Sequence, residues 1–289
     1  MSHQQKGHLM EYKLSSLSAD IVQPEQLLDF PNPNRLFIDV RLGEPADEFG
    51  DYRDAHILGA VYAQIREVFA AAPTPQSGNL PLPDIDALER QLRAWGVNDE
   101  TDIVTYGPSM ALAARGWWVL RWAGLQNVKV LDGGIKAWVN QGGPVSQGET
   151  HRAPNEEPLR LRLQAGGLPQ VLVADVEALG EDVLLIDARD ENSFLAGSIP
   201  RARNLPAAEQ WTPAGNLRTI AEIEKLYDEV GVREGKDLVV YCGGGVLSAL
   251  EVLTLRALGH RPQLYVGSWS EWNKSPERMA RSAAERALP

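Results

Sequence analysis

The sequence predicts an α/β chain built as two tandem copies of one unit, each a mostly parallel sheet flanked by helices. Two observations predict this. Segments of the two halves match one another in the same order. Within each half, apolar β-branched runs of strand length alternate with helical periodicity, and strands joined through helices pair in parallel.

The first matched segment begins at Leu36, "LFIDVRLGEPADEFGDYRDAHILGAVYA", and its counterpart at Leu184, "LLIDARDENSFLAGSIPRARNLPA". Each opens with a buried strand that ends in Ile-Asp-x-Arg, at Asp39 and Arg41 and again at Asp187 and Arg189. Next come two amphipathic stretches, "DIDALERQLRAWGVNDE" (84–100) and "TIAEIEKLYDEVGVREG" (219–235). Then "TDIVTYGPSMALAARGWWVLRWAGLQNVKVLDGGIKAW" (101–138) parallels "KDLVVYCGGGVLSALEVLTLRALGHRPQLYVGSWSEW" (236–272). Both read strand, Tyr, loop, helix, Gly, short strand, Gly, Trp. Tyr106 answers to Tyr241, and Trp138 to Trp272. Between the copies, "NQGGPVSQGETHRAPNEEP" (140–158) has no periodicity and is rich in Gly, Pro and polar residues, as a linker is. The expected division is 15–143, a linker over 144–158, and 159–278. The start, "MSHQQKGHLMEYKL" (1–14), lacks the apolar core of a signal peptide and reads as a disordered leader.

Composition narrows the function. A net charge of −11 argues against a nucleic-acid binder, which needs a basic surface. No run of 18 apolar residues is present, so no membrane-spanning helix is expected. A single cysteine excludes an internal disulfide and clustered-cysteine zinc sites, and suits a reducing cytoplasm. Five scattered histidines show no ligand spacing, so neither a metal nor another cofactor is expected.

That one cysteine sits in "VVYCGGGVLSAL" (239–250). Leu238 to Tyr241 read as a buried strand, and Val246 to Leu258 as a helix with Gly259 as its stop. Cys242 therefore marks the turn from strand to helix. Glycines there permit positive φ and close approach of a ligand. Amide groups converging in such a loop, with the helix dipole behind them, bind anions and favour a thiolate. A lone cysteine is often only a small buried hydrophobe; the loop around this one favours a reactive thiol. At the matching place the first half has Gly107 and Pro108, and Ser109 there reads as a helix N-cap. One copy is then catalytic and the other supporting.

With these residues in view, the chain resembles the two-domain sulfurtransferases of the rhodanese family. The resemblance rests on Ile186-Asp187-Ala188-Arg189, Gly197-Ser198-Ile199-Pro200, Val240-Tyr241-Cys242, the loop Cys242 to Leu247, and Gly267 with Trp272. It implies two tandem rhodanese-like domains. It also implies that Cys242 takes a sulfane sulfur from a small anionic donor, thiosulfate or 3-mercaptopyruvate, and passes the persulfide sulfur to cyanide or a thiol. The anion and persulfide cradle would be Gly243, Gly244, Gly245, Val246, Leu247 and Ser248. Mercaptopyruvate-using members typically read Cys-Gly-Ser-Gly-Val-Thr. Here Gly244 replaces the serine and Leu247 the threonine, and Ser248 is the hydroxyl left to substitute. Gly243, Gly245 and Val246 match that subgroup, which tilts the donor toward 3-mercaptopyruvate. Ser198 replaces the family histidine.

Substrate-binding candidates are Asp187, Arg189, Ser198 and Arg201. Asp187 and Arg189 either orient a ligand or clamp one another, and the same pair in the thiol-free half favours the clamp. Arg201 and Arg203 are anion contacts or solvated surface. Trp269 is a candidate pocket wall and Trp272 a core residue; Trp117, Trp118 and Trp122 suit the core or the face between the copies. Two other functions compete. A Cys-x5-Arg phosphatase needs a guanidinium at the sixth residue after the cysteine, where Ser248 stands. A partner-dependent sulfur-relay or binding module fits the neutral loop. A monomer is expected, since each copy can cover apolar surface of the other.

Overall fold

The structure is a computed structural model that describes residues 18–152 and 160–286. The leader 1–14 and residues 153–158 of the expected linker lie outside the described residues.

In the first half, β1 (Ile21–Val22), β2 (Arg35–Arg41), β4 (Val61–Gln64), β5 (Asp102–Tyr106) and β6 (Val128–Leu131) form one sheet in the order β1-β6-β5-β2-β4. Every pairing in it is parallel. β3 (His56–Ile57) lies apart, antiparallel to β7 (Val145–Ser146). In the second half, β8 (Gln170–Val171), β9 (Leu184–Asp187), β10 (Arg203–Asn204), β11 (Leu238–Tyr241) and β12 (Gln263–Tyr265) form a second parallel sheet, β10-β9-β11-β12-β8. Counted from the other edge, the two orders coincide strand for strand. The duplicated sequence folds into duplicated topology.

The helices follow the same correspondence. Ile85–Ala94 matches Ile220–Glu229, and each is capped at its first turn, by Asp84 and by a Thr219–Glu222 capping box. Met110–Trp122 matches Leu247–Ala257. Both are apolar nearly all round, and a helix of that kind needs cover on every side. Each lies on its own sheet with one face and on the other helix with the opposite face. Only Leu112 and Arg121 of the first, and Leu247 and Arg256 of the second, escape full burial. Gly116 lets the first helix approach its sheet, since a β-carbon there would lie 2.7 Å from Val40 Cγ2.

One apolar core consequently runs through both halves, from Ile38, Val40, Trp117 and Trp118 to Ile186, Cys242, Leu253 and Val266. Smaller clusters back the outer sheet faces, one around Tyr106 and Trp138, the other around Tyr241 and Trp272. Trp272 is core, with its indole N–H donating to Ser282 Oγ at 3.1 Å. The stretch after residue 143 is more structured than its composition suggests. β7 pairs with β3, and Thr150 donates its amide to Tyr52 and sits 2.9 Å from His56 Nε2. Residues 160–168 run along the first half, where Leu163 donates to Glu89 and Gln164 to the Ala123 carbonyl.

Candidate active site

β9 and β11 are neighbours, with Asp187 opposite Tyr241. From β9 the chain departs toward β10 on one side; from β11 it departs toward β12 on the other. The carboxyl ends of two strands whose connections diverge leave a crevice, the usual ligand position of an open parallel sheet. Ala188-Arg189 and the loop from Cys242 both emerge there.

Cys242 is buried, 1% exposed. Its backbone is fixed on both sides by the turn after β12: its amide donates to Ser268 Oγ at 3.2 Å, and its carbonyl accepts from the Trp269 amide at 2.9 Å. The Gly243 carbonyl accepts from the Ser270 amide at 3.0 Å. Ser268 holds a left-handed φ of 54°, a local strain for a residue with a side chain. Two donors reach the sulfur. The Gly245 amide lies 3.1 Å from Sγ, and the Ser248 hydroxyl 3.4 Å. This geometry favours negative charge on sulfur, because both groups donate to it.

Of the three glycines only Gly245 is required by the backbone. Its φ is +83°, and a β-carbon would sit 2.9 Å from Arg115 Nη1 and 3.0 Å from the Val266 carbonyl oxygen. Gly243 has open space, and Gly244 meets only Leu80 and Asn79 at ordinary contact distance. These two keep side chains off the stretch of loop that follows Cys242. Val246 and Leu247 are half-buried and lead into the helix, whose second residue is the fully buried Ser248.

The first half closes the site from above, which local patterns do not announce. Asn79 donates its amide to Ser270 Oγ at 2.9 Å, and Lys274 Nζ donates to the carbonyls of Thr74 (3.1 Å) and Ser77. Gly78 packs so tightly that a β-carbon would lie 2.4 Å from the Gly267 carbonyl oxygen. Arg115, from the Met110–Trp122 helix, is completely buried beneath the loop and donates to the Gly245 carbonyl at 3.3 Å. Burial pulls its pKa down to about 10, while the neighbouring Cys242 acts in the opposite sense.

Asp187 and Arg189 form a buried fork. Nε lies 2.9 and 3.0 Å from the two carboxylate oxygens, and Nη2 lies 2.5 Å from Oδ2 and 2.6 Å from the Gly197 carbonyl. Burial lowers the Arg189 pKa, but the hydrogen bonds and charge of Asp187 outweigh it, and the net shift is upward. The guanidinium lies over the Trp269 ring at 4.8 Å, so Trp269 stands at the crevice edge. Ser198 is half-buried between Gly197 and Ile199, whose amide donates to Tyr241 Oη at 3.0 Å. Arg201 is exposed and turned to another loop, donating to the carbonyls of Leu179 (2.6 Å) and Gly180 (3.0 Å). Arg203 is exposed.

The first half repeats this frame without a thiol. Arg41 forks onto Asp39 at 2.9 and 3.2 Å, and Tyr106 Oη accepts the Ile57 amide at 3.1 Å. Burial nevertheless raises the Asp39 carboxyl, against the pull of Arg41. Gly107 stands where Cys242 does, and a β-carbon on it would lie 2.3 Å from the Val40 carbonyl oxygen. Ser109 caps the following helix, accepting from the Leu112 amide at 3.4 Å.

Comparison with known proteins agrees with this geometry. The rhodanese-like domain family matches residues 23–141 and 172–275. The chain is similar to the 3-mercaptopyruvate sulfurtransferase of Escherichia coli K12, with 31% identity over 268 residues that cover 83% of this chain and 90% of that protein. It is similar to the thiosulfate sulfurtransferase of Gallus gallus, with 28% identity over 243 residues covering 79% and 82%. Among solved structures, it is similar to the 3-mercaptopyruvate sulfotransferase SseA from Escherichia coli, with a TM-score of 0.76, 28% identity, and coverage of 88% of this chain and 100% of that one. With two matched copies, a duplicated parallel sheet and a thiol at the end of the central strand of the second, this chain belongs to the rhodanese family.

Proposed function

We propose that the protein is a sulfurtransferase in which the Cys242 thiolate attacks the sulfane sulfur of a small anionic donor, giving a cysteine persulfide. With thiosulfate the donor S–S bond breaks and sulfite leaves with the electron pair. With 3-mercaptopyruvate the C–S bond breaks with its electron pair left on carbon, and the enolate that departs takes up the proton of the donor thiol to become pyruvate. Cyanide or a thiol then attacks the outer sulfur, and the Cys242 thiolate departs. Two half-reactions through a covalent intermediate imply ping-pong kinetics.

The observation that carries this reading is the pair of donors on Sγ, the Gly245 amide and the Ser248 hydroxyl, beneath a loop with space at Gly243 and Gly244. A persulfide needs stabilised charge, and these two donors support it. The favoured donor is 3-mercaptopyruvate, on the match of Gly243, Gly245 and Val246 to that subgroup and on the absence of a basic residue in the loop. Ser198 and the edge of Trp269 are proposed to face the donor; Asp187 and Arg189 are proposed to hold the crevice in shape. A reducing cytoplasm suits the single thiol. We take 15–143 and 159–278 as the two units and expect a monomer. No helix among the described residues is long and apolar enough to cross a membrane.

The test is intact mass after exposure to each donor separately, with Cys242→Ala as control. A gain of about 32 Da on the parent alone is expected for one sulfur held covalently. No gain from either donor on a thiol that still alkylates would overturn transfer from small donors. It would favour the second reading, a relay loaded by a partner protein.

A further inference from the structure

The first half has no cysteine, yet it sends a fully buried cation to the cysteine loop of the second. Arg115 Nη1 donates to the Gly245 carbonyl at 3.3 Å, and Nη2 donates to the carbonyls of Phe69 and Leu80 at 3.1 and 3.0 Å. Among the described residues its Nε has no hydrogen-bond partner. A charge taken out of water normally has an opposite charge beside it. Arg189 has Asp187, and Arg41 has Asp39 with Glu48 and Asp51 nearby. The acceptors of Arg115 are all neutral carbonyls. The group able to answer its charge is the Cys242 sulfur, which accepts from the amide of the same Gly245 at 3.1 Å. A single glycine thus touches the guanidinium with its carbonyl and the sulfur with its amide. In this dry setting the attraction between them is little screened.

Other charged groups around the loop are already engaged. Arg189 is neutralised by Asp187, Lys274 points to the carbonyls of Thr74 and Ser77, and Glu271 lies beside Tyr265. Glu251, further along the helix, accepts from Tyr227.

We propose that Arg115 is a positioning residue of the active site: from the first half it fixes the Gly245 peptide and supplies the positive charge that holds an anionic sulfur on Cys242. For the persulfide, this rests on the transfer reading above; for the thiolate it does not. The proposal accounts for a cysteine loop without basic residues, because the cation arrives from the other copy. It also gives the thiol-free half a share in the chemistry. A purely structural Arg115 would need only its donors, and a neutral amide could replace some of them.

The experiment uses the full chain with Arg115→Gln and Arg115→Lys. Cys242 is alkylated with iodoacetamide across a pH series and followed by intact mass. In the Gln variant the midpoint of the rate profile rises by about one unit or more, so that alkylation below the midpoint slows by about tenfold. In the Lys variant the charge is kept and the midpoint stays near the parent's. A Gln variant with the parent's midpoint, or a Lys variant shifted as far as the Gln one, overturns the proposal. If the Gln variant loses the near-ultraviolet signal of its tryptophans, the Lys variant decides alone: it loses the fork and keeps the charge, so a shift of about one unit overturns the proposal and a parental midpoint supports it. Iodoacetamide needs no sulfur donor. Failure of the parent to load sulfur would therefore sink the transfer reading and leave this result standing.

Discussion

The hydroxyl of Tyr227 donates to Oε2 of Glu251 at 2.6 Å, tying the Ile220–Glu229 helix to the Leu247–Ala257 helix within the second half. Thr254 Oγ1 lies 2.6 Å from Tyr227 Oη and 2.6 Å from Gln210 Oε1, and all four residues are buried. Burial pushes the Glu251 carboxyl up to about 8, against the lowering effect of Tyr227 and Gln210; its ordinary value is 4.5. Between those values the folded protein keeps a proton that the unfolded chain has released. The folded state then binds more protons, so stability falls as pH rises through that window, by up to about 1.4 kcal/mol per pH unit from this group. Glu251→Gln has no proton to lose. The gap in melting temperature between parent and variant should move steadily in the variant's favour from about pH 5 to about pH 8. A gap that does not change with pH would contradict the assignment.

Restoring a cysteine to the first half should not create a second site. Gly107→Cys places a β-carbon against the Val40 carbonyl, 2.3 Å away without movement. The strand or the loop must shift, at a cost of about 1–3 kcal/mol. In a Cys242→Ala background, this variant is expected to melt earlier and to gain no sulfur mass. A stable variant that loads sulfur would show that the first loop can open.

The Ser248 hydroxyl reaches Sγ from within the helix at 3.4 Å. Ser248→Ala removes one of two donors to an anionic sulfur, a change of about 1.5–3 kcal/mol for hydrogen bonds to charged groups. Sulfur loading in a single turnover should slow by about tenfold or more, with little loss of thermal stability. An unchanged rate would leave the Gly245 amide as the sole donor that matters.

Arg189 is expected to act on stability before it acts on rate. Arg189→Met strands the fully buried Asp187, and breaking one partner of a buried pair costs about 3–5 kcal/mol. Replacing both, as Asp187→Asn with Arg189→Met, should recover part of that loss. Denaturant unfolding of the three variants measures it. A stable Arg189→Met with a raised KM for the donor would instead assign Arg189 to substrate binding.

The duplicated topology was legible because the pattern that specifies it is local: strand, turn and helix periods recur in register in both halves. Cys242, the Ser109 cap and the Asp187–Arg189 clamp were legible for the same reason. The glycine run permits positive φ at three positions, and only Gly245 uses it. Arg201, a loop residue expected as an anion contact or solvated surface, is exposed and turns its side chain to the carbonyls of Leu179 and Gly180. Arg115 and the segment around Asn79 were not legible at all. Arg115 meets Gly245 across 130 positions of chain, and Asn79 meets Ser270 across 191. Within "MALAARGWWVLRW" an arginine on an apolar helix has no local partner to reveal its purpose. Phe69 and Leu80 of its own half accept from it at a distance in sequence, and its contact with Gly245 exists only once the two copies dock.

The core that runs unbroken from Val40 and Trp117 to Leu253 and Val266 has a calorimetric consequence. Two copies that each enclosed their own interior would melt as separate units, with a van't Hoff enthalpy well below the heat absorbed. Here neither central helix can be exposed without uncovering the other. The molecule should therefore absorb heat in one peak, with the two enthalpies equal. A mutation that loosens the thiol-free half would then lower the melting point of the half that carries the thiol.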